Sequence, residues 1–188
     1  MFKILDCTLR DGGYYNHWDF SPEIVQAYIN AMVEAKIDYI ELGLRNFTQE
    51  GFRGAFAYTT ENFLNRLALP EGPTYGVMID AKTILSAQIS VEAAVDSLFV
   101  DCAESKVDLV RIAAHFHEVE QSAELVACLK RKGYIVGYNL MQAAGKSSEL
   151  IAQKAKIAQT WAGLDVLYFA DSLGNMDSEE VKRIVIAL

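Results

Sequence analysis

Arg10 and Asp11 stand side by side after an apolar run and are followed by Gly12 and Gly13. A carboxylate at such a place can hold a hard divalent cation. A neighbouring guanidinium keeps its proton and can steady an enolate or carboxylate as charge develops there. The two glycines are expected to turn the backbone sharply and leave room for a ligand. An Arg–Asp ion pair across a loop is the other reading, and the residues alone leave both open. Similar polar residues recur after later apolar runs: Glu41 and Arg45, Asp80, Arg111 and His115, Asn139, and Asp171 with Ser172. Each has a structural alternative, since Asp80 could cap a helix and Glu41 could partner an arginine. Their recurrence, at least one per run, weighs more than any single member.

The elements that must position these residues alternate. Strands are expected over Phe2–Leu9, Ile37–Leu44, Thr74–Ile79, Val107–Ala113, Tyr134–Met141 and Leu164–Ala170. These runs are rich in Val, Ile, Tyr and Leu. Ser21-Pro22-Glu23 starts the first helix, with serine as N-cap and proline in the first turn. Helices follow over Glu61–Leu69, within Ala81–Glu104, over Val119–Lys132 before Gly133, and over Ser147–Ala162. Asp177-Ser178-Glu179-Glu180 opens the last with capping-box spacing. Six strand–helix units in alternation predict a parallel sheet covered by helices. The fold class is α/β, and the choice lies between an open doubly wound sheet and a (β/α)8 barrel. No G-x-G-x-x-G follows the first strand, which counts against a dinucleotide fold. Residues 1–188 therefore read as one domain, a TIM barrel that is incomplete, with about six βα units.

Composition narrows the function classes. The net charge is −8 with no basic cluster, which argues against nucleic acid. No apolar run approaches the roughly 18 to 20 residues that span a bilayer, so no membrane partner is expected. No signal peptide is visible, and Cys7, Cys102 and Cys128 fit neither a disulfide framework nor a zinc spacing. A cytoplasmic location with reduced thiols is expected, and Cys7 reads as a small buried hydrophobe in the first strand. Trp18, Phe20, Phe47, Phe52, Phe56 and Tyr58 crowd the first two loops, as a cover over the barrel mouth or as a subunit contact.

"LDCTLRDGG" at Leu5–Gly13 resembles the opening of the DRE-TIM metallolyases. The similarity continues through "DYIELG" at Asp38–Gly43, "VRIAAH" at Val110–His115 and "FADSLGNM" at Phe169–Met176. The resemblance implies a (β/α)8 barrel, a divalent metal (Mn2+ or Mg2+), and chemistry on a carbon–carbon bond beside a carbonyl. It makes Asp11 a metal ligand and Arg10 the enolate-stabilising group. Glu41, Arg111, His115, Asn139, Asp171 and Ser172, at the strand ends where such a barrel gathers its site, are expected around the substrate.

Three departures refine this. The family's usual glutamate after Arg-Asp is Gly12 here, as in its aldolase branch. The aldolases place a histidine base four residues after the arginine, and here that residue is Tyr14, with His17 nearby at another spacing. The family's His-x-His metal pair belongs to strand seven, which this chain does not reach. His115-Phe116-His117 has the same spacing after strand four and reads first as solvated or capping residues, with a metal role as the alternative. Metal binding by this chain is accordingly expected to be weak or absent.

The implied activity is aldol cleavage of a 4-hydroxy-2-oxo acid to pyruvate and an aldehyde through a metal-bound enolate, with the 188-residue chain inactive alone. The alternatives are acyl-CoA lyase or condensing chemistry of the same superfamily, and a non-catalytic fragment acting as a binding module. Expected partners are the small 2-oxo acid, a second copy of the chain, and a dehydrogenase that consumes the aldehyde.

Overall fold

The computed structural model describes residues 2–161, 163–172 and 174–188. Ala162, the expected end of a helix, and Leu173, inside the strand-six motif, lie outside them. The strands are β1 (Leu5–Asp6), β2 (Tyr39–Leu44), β3 (Thr74–Asp80), β4 (Leu109–Ala114), β5 (Ile135–Leu140) and β6 (Val166–Phe169). The helices are α1 (Thr8–Asn16), α2 (Pro22–Glu34), α3 (Glu61–Leu64), α4 (Ala81–Leu85), α5 (Val91–Leu98), α6 (Ala123–Arg131), α7 (Ser148–Gln159) and α8 (Ser178–Ala187). Strand order is β1-β2-β3-β4-β5-β6. The pairs β1/β2, β2/β3 and β5/β6 are parallel, with Leu5 opposite Tyr39, Tyr39 opposite Thr74 and Gly137 opposite Val166. Sequential parallel strands with intervening helices are the pattern of a (β/α)8 barrel, of which six units are present.

The chain forms two compact units, Met1–Ile79 with Leu98–Val110, and Asp80–Ser97 with Arg111–Leu188. In the first, Ile29, Ile40, Leu42, Leu64, Val77 and Ile79 are sealed from solvent. In the second, Ile84, Ile112, Leu125, Leu129, Tyr138 and Ile151 are. Burying each such side chain contributes about 1.5–3 kcal/mol, which holds strands and helices together within each unit.

The expected caps form. Ser21 accepts from Ile24 N, and Asp177 from Glu180 N at 2.8 Å. The reciprocal arm of the capping box does not form, because the Glu180 carboxylate accepts from Gly145 N and from Arg183 instead.

The largest departure from expectation is at the start. β1 ends at Asp6, whose carboxylate accepts from Thr8 N at 2.9 Å and from Thr8 Oγ1, and α1 begins at once. Arg10, Asp11, Gly12 and Gly13 therefore lie in a helix rather than a sharp turn, and neither glycine has a positive φ. Gly13 makes room for a side chain of the protein itself, since a Cβ there would sit 1.9 Å from Trp18 Cδ1. His17 and Trp18, both at φ 59°, turn the chain back. The indole then lies on Gly13 and donates from Nε1 to Arg10 O at 2.9 Å. Cys7 is the N-cap residue of α1 and half-buried, so it is not the strand hydrophobe expected.

Candidate functional site

In the first unit, α1 and β2 bring three charged residues together. Arg10 Nε donates to Glu41 Oε1 at 2.7 Å, and Arg10 Nη1 pairs with Asp11 Oδ1. Glu41 is fully buried, while the Asp11 side chain is 57% exposed. A carboxylate sealed in that way requires a partner charge, and Arg10 supplies it. The ion-pair reading of Arg10 and Asp11 is the one observed, and Nη2 stands outside both pairings. Cys7 Sγ donates to Asp11 Oδ2 at 3.2 Å. Burial, and then that bond, push the Cys7 thiol up to about 11, so it is a neutral donor rather than a nucleophile.

Tyr14 lies one helical turn beyond Arg10, on the same face of α1. It is 60% exposed and packs edge-on against Trp18, ring centroids 4.7 Å apart. His17 is exposed, with Nδ1 3.1 Å from Arg53 Nη1, and makes no bond to Arg10 or Asp11. Phe20, Phe56 and Phe63 form an edge-to-face chain. Within the crowded aromatic group, Trp18 and Phe56 are core residues and Phe52 is exposed.

Arg45 is buried, donates to Leu98 O and Glu61 Oε1, both at 2.8 Å, and stacks on Phe99. It ties segments of the first unit together and serves packing.

In the second unit, Asp80 ends β3 and N-caps α4, accepting from Lys82 N through Oδ1 at 3.1 Å. His115 follows β4, and Glu118 turns back onto it. Glu118 Oε2 accepts from His115 N at 2.7 Å and lies 3.2 Å from His115 Nδ1. Ligating atoms of Asp80, His115 and Glu118 all lie within 4.8 Å of one another. Burial, reinforced by the negative charge of Glu118, raises the pKa of Asp80. The His117 ring stacks on His115 with centroids 5.7 Å apart, but His117 is not part of the three-residue group. Glu118 is the residue that sequence reasoning missed. It sits three residues beyond a histidine already singled out, within reach of its backbone N–H.

The remaining expected residues divide. A Cβ built on Gly137 would meet both Arg111 and Tyr168, which places those side chains on one face of the sheet. Asn139 pairs in register with Tyr168 and shares that face, and Arg111 stacks over the Tyr168 ring at 5.3 Å. Asn139 is 7% exposed, and its Oδ1 has no hydrogen-bond partner among the described residues. Such an orphaned buried acceptor is uncommon and points to a missing donor. Asp171 instead accepts from Asn175 N and Met176 N at 3.0 and 2.9 Å, shaping an exposed loop that includes Ser172.

The residues around Asp11 do not make a metal site by themselves. Asp11 is one exposed carboxylate bonded to a guanidinium and a thiol, and among the described residues no three-donor group includes it. Among those residues, too, no helix is long and apolar enough to cross a membrane.

The HMGL-like family model matches residues 1–188. A 4-hydroxy-2-oxovalerate aldolase of Pelotomaculum thermopropionicum is 32% identical over 188 residues, covering 95% of this chain and 50% of that protein. An oxaloacetate decarboxylase of Mycobacterium tuberculosis is 27% identical, covering 98% of this chain and 52% of that protein. Among solved structures, the N-terminal domain of a candidate aldolase from Bacteroides vulgatus superposes with TM-score 0.85 at 32% identity. It covers 99% of this chain and 60% of that one. Hydroxymethylglutaryl-CoA lyase from Pseudomonas aeruginosa shares the fold at TM-score 0.71 and 15% identity, over 98% of this chain and 62% of that one. The chain spans about half the length of the curated relatives it matches. It belongs to the HMGL-like family.

Proposed function

We propose that this HMGL-like chain is part of an aldolase that cleaves a 4-hydroxy-2-oxo acid to pyruvate and an aldehyde. The observation that carries the reading is Arg10, held by buried Glu41 through Nε and by Asp11 through Nη1, with Nη2 outside both pairings. When the bond between C3 and C4 breaks, its electrons pass to the 2-oxo oxygen as the aldehyde leaves. A guanidinium fixed at two of its nitrogens presents the third to that oxyanion without reorganising, where it is most effective. The 4-hydroxyl proton must pass to a base. Tyr14, one turn from Arg10, is the residue on α1 assigned that transfer. The reading carries a divalent-metal requirement, Mn2+ or Mg2+, to which this chain contributes Asp11. The aldehyde product calls for an enzyme that consumes it, and a dehydrogenase is the partner proposed.

A second reading is decarboxylation of a 2-oxo dicarboxylate. It generates the same pyruvate enolate, but carbon dioxide leaves and no hydroxyl proton has to be removed. The phenol at Tyr14 in place of an imidazole, and the relative named oxaloacetate decarboxylase, favour it.

Pyruvate release decides between them. The protein carrying this sequence is supplied with Mn2+ or Mg2+ and either 4-hydroxy-2-oxo acids or oxaloacetate. Pyruvate from the hydroxy acids supports the aldolase, and pyruvate from oxaloacetate alone supports the decarboxylase. Arg10→Lys should lower kcat by about 100- to 1000-fold, because lysine keeps the charge and loses the planar fork. Consumption of an acyl-CoA without pyruvate would overturn both readings.

A further inference from the structure

We propose that Asp80, His115 and Glu118 form a divalent-cation site within the second unit, suited to Zn2+ or Mn2+ and distinct in every residue from Asp11. The donors come from the end of β3, the end of β4 and the turn before α6, and converge to within 4.8 Å of one another. One imidazole with two carboxylate oxygens suits borderline cations such as zinc and manganese. Each carboxylate is already oriented by one oxygen: Asp80 Oδ1 accepts from Lys82 N and Glu118 Oε2 from His115 N. That leaves Asp80 Oδ2 and Glu118 Oε1 to turn to an ion, and second interactions of this kind hold metal ligands in place.

Charge supplies a separate argument. Elsewhere the buried Glu41 and the half-buried Glu61 are paired with permanent cations, Arg10 and Arg45, while the half-buried Asp6 is held by Tyr28 and Thr8. Among the described residues neither Asp80 nor Glu118 forms a salt bridge with an arginine or lysine, and Glu118 is buried. His115 beside Glu118 carries charge only when protonated, and Lys82 acts on Asp80 through its field without a salt bridge. Two carboxylates so placed attract positive charge, and a metal ion supplies it without a proton.

There is also room. His115 and Glu118 open onto a cavity of about 400 Å3 that Lys82, Ser86, His117 and Gln121 also line. Three protein ligands, two of them lining this space, leave further coordination positions to water or a small anion. Metal binding here is independent of the reaction proposed above.

The test uses the 188-residue chain without a histidine tag, stripped of metal, then titrated calorimetrically with Zn2+ or Mn2+ alone. One ion per chain is expected at micromolar concentrations, together with a rise in Tm. Asp80→Asn preserves the helix cap, and Glu118→Gln preserves an acceptor for His115 N. Each should weaken binding at least tenfold and abolish the Tm rise, while circular dichroism without metal stays unchanged. His115→Gln serves as a third ligand variant should either of these fail to fold. Asp11→Asn should bind as the unsubstituted chain does. Three results would each overturn the proposal: no binding of either ion at millimolar concentration, undiminished binding by the folded ligand variants, or loss of binding on Asp11→Asn.

Discussion

Arg10 stands between Glu41 and Asp11, whereas His115 stands against Glu118 with Asp80 close by, and among the described residues no arginine or lysine forms a salt bridge with either carboxylate. Both clusters place a carboxylate in the interior of its unit. In the first, the compensating charge is built in and permanent, so the guanidinium is fixed in place. In the second, compensation is conditional on a proton or an ion. The difference teaches that a buried acid can be a structural partner in one place and an invitation to a ligand in another. What decides is the cation beside it, not the acid itself.

The sharpest way to break this comparison is to remove the permanent cation. Arg10→Met takes the permanent cation away from the buried Glu41 carboxylate, and the expected cost is about 3–5 kcal/mol. Glu118→Gln in metal-free chain should cost less than about 1 kcal/mol, because the amide oxygen still accepts from His115 N. Urea denaturation of both variants measures the contrast. Equal losses would show that the two carboxylates are compensated alike.

Gly13→Ala tests how the first cluster is held. Alanine is the better helix former by about 1 kcal/mol. The added methyl would collide with the Trp18 indole, which bonds Arg10 O. A net loss of about 1–3 kcal/mol is expected, with a red shift in tryptophan fluorescence as the indole is displaced. A more stable variant would mean that Trp18 does not anchor α1.

The smallest effect concerns an exposed pairing. Arg183, and then Gly145 N, hold Glu180 down to about 2, against an ordinary value of 4.5. A depressed acid adds stability above its unfolded pKa and loses it as pH falls through the folded one. Glu180→Gln should therefore flatten the acid-side decline in Tm between pH 4.5 and about 2, and the two proteins should converge at the acid end. An unchanged acid profile would remove Glu180 from the account, and would leave the contrast between buried clusters standing alone.

Much of the molecule follows from sequence by local rules. Alternating apolar strands and capped helices are short-range patterns, so the six units and the caps at Ser21 and Asp177 were legible, as was the placement of Glu41, Asp80, Arg111, His115 and Asn139 on or just after strands. The resemblance around Arg10-Asp11 was legible too, because it rests on residue types in order. Three features required the tertiary structure. The helical state of Gly12 and Gly13 depends on Asp6 ending β1 and on Trp18 filling the space over Gly13, and no local propensity favours two glycines in a helix. The clamp on Arg10 depends on Glu41, which is distant in sequence and arrives only when β1 and β2 pair. Glu118 becomes a partner for Asp80 and His115 because the ends of β3 and β4 and the following turn converge, and convergence is a property of the folded chain that residue order does not display.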